Sequence, residues 1–114
     1  MRYLRRFLNI KYALRGIWLV LEEKNIRMYL VIGGAMALTL LLKHPHPIEI
    51  FIFFACFLAV IVLEMVNSAI ERMADIICDK QIDQRIGDIK DITAGAVFLP
   101  GIVGLIDWLK VILF

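Results

Sequence analysis

An all-α integral membrane protein, three transmembrane helices behind an N-terminal amphipathic surface helix, is predicted by three observations. The 114-residue chain is 61% hydrophobic with a mean hydropathy of +0.81, far above the roughly 45–50% apolar share of a soluble domain. Apolar runs recur along it at near-spanning length, and a soluble fold would be left with almost no polar surface. Lys and Arg are also segregated, eleven lying in residues 1–27 and 72–90 against Lys43 and Lys110 elsewhere. The length allows one compact unit, a single domain over 1–114.

Residues 1–25 open the chain with a basic amphipathic pattern. Arg2, Arg5, Arg6, Lys11, Arg15 and Lys24 interleave with apolar residues at 4, 7, 8, 14, 17, 18 and 21, which is helical spacing. Such a helix lies on an anionic membrane face, with Tyr12 and Trp18 at headgroup depth. No short apolar core with a small-residue cleavage site follows the basic start, so no signal peptide is expected. Glu22-Glu23 places two acids just before the first span.

Met28–Leu42 carries no charge and is short for a span, so the first membrane helix is expected over about 26–43, with Arg27 and Lys43 snorkelling outward. Gly33-Gly34 either allows close helix contact or is a tolerated pair. Lys43-His44-Pro45-His46-Pro47 breaks the helix, because two prolines in three residues cannot continue one. The two histidines have no third ligand in sequence and read as solvated. The second span, about 48–77, runs on past the membrane. Polar residues 79–89 read as a loop or interfacial turn. The third span, about 88–112, contains Pro100-Gly101 and Gly104, which predict a kink. Asp107 and Trp108 mark its far interface. Cys56 falls mid-span and Cys78 at a polar boundary, so free thiols are expected.

The Lys and Arg asymmetry places the N-terminus and the 72–90 segment in the cytoplasm, where ATP is found. There the chain concentrates its unusual polar residues. In Glu64-Met65-Val66-Asn67-Ser68-Ala69-Ile70-Glu71, the residues Glu64, Asn67 and Glu71 stand at i, i+3 and i+7 on one helix face, with Ser68 and Asp75 on the same side. Ionisable groups at the mouth of a membrane bundle are costly and are functional candidates by default.

Phosphoryl transfer needs divalent metal on oxygen ligands, positive charge for phosphates and a base for the attacking hydroxyl. Glu23 and Glu71 are the candidate magnesium ligands, and Lys90 the candidate phosphate contact. Glu64, about two turns or 10 Å deeper than Glu71, is the candidate base toward a lipid hydroxyl. Asn67 stands between them to orient either group. No Walker loop or kinase glycine loop is present. The same three polar residues would also serve as interhelical polar glue, and periodicity alone leaves both uses open.

The motif Glu64-x-x-Asn67-x-x-x-Glu71, then Asp75, then Lys90-Asp91-Ile92-Thr93-Ala94-Gly95-Ala96-Val97 closely resembles the signature of the prokaryotic diacylglycerol kinase family, which includes undecaprenol kinases. Lys11-Tyr12-Ala13-Leu14-Arg15-Gly16 and Glu22-Glu23-Lys24-Asn25-Ile26-Arg27 are similar to its upstream segments, so the resemblance covers nearly the whole chain in order. It implies a homotrimeric bundle with active sites shared between subunits in a bacterial cytoplasmic membrane. It implies transfer from Mg-ATP to a lipid hydroxyl, with no nucleic-acid partner. On the matching positions Glu64 is the catalytic base and contacts the lipid. Glu23 and Glu71 hold magnesium, and Tyr12, Glu23, Asn67, Glu71, Lys90 and Asp91 surround ATP. Arg5 meets the lipid substrate. The acceptor is diacylglycerol, giving phosphatidic acid, or alternatively undecaprenol, giving its phosphate. The loop between Asp75 and Lys90-Asp91 departs from the family pattern, being about one residue longer and having Lys80-Gln81-Ile82-Asp83 in place of a Glu-Tyr-His triplet, which leaves nucleotide preference open. A small drug transporter would instead show four spans and an acid in the first. A non-catalytic membrane scaffold would not need Glu23, Glu71 and Lys90 at one interface.

Overall fold

The computed structural model describes the backbone of residues 2–78 and 83–114 and the side chains of residues 9–78 and 83–114. Four helices follow one another: α1 (Arg2–Leu21), α2 (Lys24–Leu42), α3 (Pro47–Cys78) and α4 (Gln84–Leu113). The last three are each long and apolar enough to cross a membrane. α3, with 32 residues, is about 48 Å long, against a hydrocarbon core of about 30 Å. It therefore has length to spare beyond the apolar layer.

α1 stops at Leu21, not at residue 25, because the chain turns at Glu22-Glu23. The Glu23 N–H closes the turn onto the Val20 carbonyl at 2.9 Å. Glu23 is extended (φ −79°, ψ 138°) and caps α2 by position, yet its side chain makes no capping bond. That carboxylate is committed elsewhere, as described below. At the far end of α2, Lys43 and His44 donate to the Leu40 and Leu41 carbonyls, each at 3.2 Å. His44 takes a left-handed φ of 51°, the geometry that ends a helix. Pro47 then occupies the first position of α3, where its missing N–H costs nothing.

α4 begins at Gln84, four residues before the expected Asp88, so residues 84–89 are helical and not part of a loop. The cause is local. Asp83 caps the helix by accepting from the Arg85 N–H at 2.9 Å, and Gln84 reaches Asp88 one turn on at 3.1 Å. A polar composition had masked a capped helix start. The expected departure at Lys80-Gln81-Ile82 lies outside the described residues. α4 continues through Pro100 to Leu113.

The core is narrow. α3 and α4 pack along their lengths, with α2 against both. The buried apolar residues are Ile26, Leu40, Phe53, Ala74 and Val97, while Val31, Phe51, Leu58 and Phe98 are exposed on the outside. Apolar residues face outward in this way when lipid is the solvent. The helices meet where small residues permit it. A Cβ at Gly104 would lie 3.1 Å from Cys56 Cβ, and one at Gly33 only 1.9 Å from the Phe57 ring. That ring is stacked on Phe53 with centroids 6.3 Å apart. Gly34 has open space around it.

The two neighbouring glycines therefore predict opposite outcomes. Gly33→Ala should destabilise the fold by about 1–3 kcal/mol, because the Phe57 ring must leave its place against Gly33 and its stacking on Phe53. Gly34→Ala should be neutral or gain up to about 1 kcal/mol of helix propensity. Thermal unfolding of the two variants in detergent micelles checks the contrast.

Candidate active site

The turn between α1 and α2 carries Glu23 to the side of α3. Its Oε1 accepts from the Ser68 hydroxyl and from the Arg72 guanidinium at 2.8 Å. Ser68 is buried, and Glu23 keeps 28% of its side chain exposed. Ser68 and Arg72 stand four residues apart on α3, so one carboxylate spans one helical turn.

Asn67, on the next residue of that face, is also buried. Its amide donates to Glu71 Oε1 at 3.3 Å. Its carbonyl oxygen meets the Thr93 hydroxyl of α4, which also lies 2.9 Å from the Lys90 carbonyl. Having one proton, the hydroxyl serves one acceptor at a time. Asn67 thus ties the α3 carboxylate face to α4. Lys90 reaches across to Asp75 at 3.4 Å, a solvent-facing ion pair of small energetic weight. It is placed beside the face but already has an anionic partner.

Glu64 is only 6% exposed, the deepest-set carboxylate on this face of α3. With Asn25, Tyr29 and Asn67 it supplies the polar end of a cavity of about 390 Å³. The remaining walls are apolar residues of α3 and α4, including Val60, Val97 and Phe98. The pocket thus presents one buried carboxylate at its polar end.

The predicted residues do not all converge. Glu23, Glu64, Asn67 and Glu71 share one stretch of α3 and its edge, with Lys90 one helix away. Asp91 is exposed and makes no side-chain hydrogen bond or ion pair among the described residues. Tyr12 is 62% exposed on α1 and is likewise unbonded there. The side chain of Arg5 lies outside the described residues. Four members of the constellation escaped the sequence argument: Asn25, Tyr29, Arg72 and Thr93. Arg72 was legible in principle, four residues after Ser68 on the same face. Thr93, Asn25 and Tyr29 depend on how α2 and α4 sit against α3.

The Ser68 hydrogen bond holds the Glu23 carboxyl below its usual range, burial opposes this, and Arg72 reinforces it by hydrogen bond and charge. A depressed folded-state value stabilises the fold above the unfolded value near about 4.3. That contribution disappears as pH falls through the lower folded value. Ser68→Ala should therefore lower thermal stability at neutral pH, and the gap from the parent should close below about pH 4. Melting curves across that range read the effect directly.

The donor chemistry suits magnesium, which takes one or two carboxylates and leaves its other positions to water and phosphate. Glu23 and Glu71 are joined through Ser68 and Asn67 within one turn of α3, and each uses one carboxylate oxygen in these bonds. No group of three or more His, Cys, Asp or Glu is placed to hold a metal among the described residues.

Comparison with known proteins bears on this arrangement. The family model described as prokaryotic diacylglycerol kinase matches residues 11–112. The chain belongs to that family. It contains the whole α3 face, the Glu23 turn and Thr93. A curated relative, a diacylglycerol kinase of Synechocystis sp. (strain ATCC 27184 / PCC 6803 / Kazusa), is 26% identical over 99 residues. That match covers 86% of this chain but only 57% of the relative, so the chain spans little more than half of its length. No solved structure matches the chain.

Proposed function

We propose that this protein is an ATP-dependent lipid kinase that moves the γ-phosphate of Mg-ATP to the hydroxyl of a membrane lipid, diacylglycerol first among candidates. The observation that carries the reading is Glu64. It is a carboxylate, 6% exposed, at the head of a cavity whose other walls are mostly apolar. A lipid hydroxyl is the nucleophile that matches a base so placed. Base and acceptor are kept from water, as general-base catalysis in a membrane requires.

In this reading Glu64 takes the proton of the lipid hydroxyl as its oxygen attacks the γ-phosphorus. Asn67, held by Glu71 and Thr93, fixes the polar wall beside it. Glu23 and Glu71 would hold magnesium, which when bound supplies positive charge against the phosphates. Lys90 would exchange Asp75 for a phosphate, a small cost for a solvent-facing pair. Asp91, Tyr12 and Arg5 complete the nucleotide and lipid contacts. The last two do so from α1, which lies on the membrane with Ile10, Leu14, Ile17 and Trp18 toward the apolar layer. These four side chains are exposed. Subunits associate as a homotrimer that completes each site.

The protein sits in the cytoplasmic membrane with α1 and the site inside. Orientation has its own test. Cys78 is a free thiol at the end of α3, so an impermeant maleimide should fail to label it in intact cells and should label it after lysis. Labelling from outside would invert the topology.

The activity test is transfer of labelled γ-phosphate by purified protein in mixed micelles, with diacylglycerol and undecaprenol offered separately. Transfer to diacylglycerol supports the reading as stated, and transfer to undecaprenol alone moves the acceptor. Transfer to neither, with nucleotide binding intact, would overturn it.

A further inference from the structure

Arg72 is bound to one of the two proposed magnesium ligands. Its guanidinium lies 2.8 Å from Glu23 Oε1, the atom that also accepts from the Ser68 hydroxyl. A carboxylate proposed to meet a metal is therefore already held by a cation of the chain itself. The pair joins the α1–α2 turn to α3, and its geometry admits two uses. Arg72 either fixes Glu23 in place or supplies positive charge to an anion that arrives beside it.

Exposure, donor chemistry and charge placement favour the second. The Arg72 side chain is 53% exposed, and an ion pair so open to water adds little stability and is readily exchanged. A guanidinium carries its N–H donors in a planar fork that engages two phosphate oxygens at once. Among the described residues, the bond to Glu23 is the only side-chain hydrogen bond that Arg72 makes. Asn67, Glu71 and Asp75 form one row along the α3 surface, and Ser68 and Arg72 form the next. Asp75 is paired with Lys90 of α4 at 3.4 Å, whereas Glu71 has the neutral Asn67 amide and no cation among the described residues. A polyphosphate drawn to Glu71 and Glu23 thus meets Lys90 from one side and Arg72 from the other.

We propose that Arg72 is a phosphate-binding residue of the kinase site, which holds Glu23 before nucleotide binds and turns its guanidinium to the nucleotide phosphates when Mg-ATP enters. The inference rests on the kinase reading, which supplies the anion. Its electrostatic sign sets it apart from a structural role. Arg72 repels a bare cation brought to Glu23 and attracts an anion brought to the same place. A residue that merely fixes Glu23 would favour both.

The test measures two affinities of the full-length protein in detergent micelles. Manganese alone, which takes the same oxygen ligands as magnesium, is followed by electron paramagnetic resonance. A non-hydrolysable ATP analogue with magnesium is followed by isothermal titration calorimetry. Arg72→Gln should weaken binding of the analogue by about tenfold, the scale of a lost charge-assisted hydrogen bond. The same substitution should tighten manganese by about threefold, because a like charge beside Glu23 is gone. Arg72→Lys should return manganese to the parent affinity and recover only part of the analogue's, since an ammonium brings the charge without the fork. Melting temperatures should shift little, as for other solvent-facing pairs. Loss of both affinities together in Arg72→Gln would overturn the proposal and leave Arg72 as the residue that fixes Glu23. Unchanged affinity for the analogue would overturn it too, with the kinase reading intact. Failure of the analogue to bind the parent protein would overturn the kinase reading and this proposal with it.

Discussion

Glu64→Gln is expected to lower kcat by a factor of about 10²–10⁴, the range general-base catalysis contributes. The amide keeps the size and most of the packing of the carboxylate, so the buried position remains filled. It cannot take the proton of an attacking hydroxyl. Asn67, Glu71 and Glu23, which would meet the nucleotide side, keep their own bonds to one another and to Ser68, Arg72 and Thr93. The KM for ATP should therefore stay within about twofold. Steady-state kinetics with saturating lipid separate the two quantities. Normal turnover with a large loss of ATP affinity would move Glu64 out of the base role and into nucleotide binding.

Glu71→Ala should raise the magnesium concentration for half-maximal activity by about tenfold or more, the scale on which metal sites respond when a supporting group is lost. The substitution removes one of two candidate carboxylate ligands and the acceptor of the Asn67 amide. Asn67 keeps its link to Thr93, so the α3–α4 tie survives and folding should be little changed. A magnesium titration at fixed ATP makes the comparison, with melting temperature as the control for structure. An unchanged titration would remove Glu71 from the ligand set and leave it as the residue that orients Asn67. High magnesium should restore much of the activity of this variant, whereas no magnesium concentration should restore Glu64→Gln.

Much of the architecture was legible because membrane helices announce themselves by length and composition. Met28–Leu42 has no charge, and the prolines after Lys43 leave no other place for the first break. The α3 face was legible for a similar reason: a carboxylate, an amide and a second carboxylate at i, i+3 and i+7 stay together on any helix. The start of α4 was misplaced because a polar stretch was read as a loop. Asp83 and the Gln84–Asp88 pair supply local hydrogen bonds that let polar residues form helix, and composition does not register a cap. Gly33 and Gly34 could not be told apart in sequence. Only the position of the Phe57 ring puts one of them in close contact and leaves the other in open space.

The sequence by itself determined an all-helical fold with three long apolar helices, and which carboxylates share the α3 face, because helical periodicity and apolar length are properties of a single segment. Tertiary structure alone decided that Glu23 turns away from capping α2 to meet Ser68 and Arg72, and that Thr93 holds Asn67 from α4. These depend on how helices far apart in sequence are rotated about their axes. A rotation of one residue, about 100°, would carry each contact to another face, and no pattern within one helix records that angle.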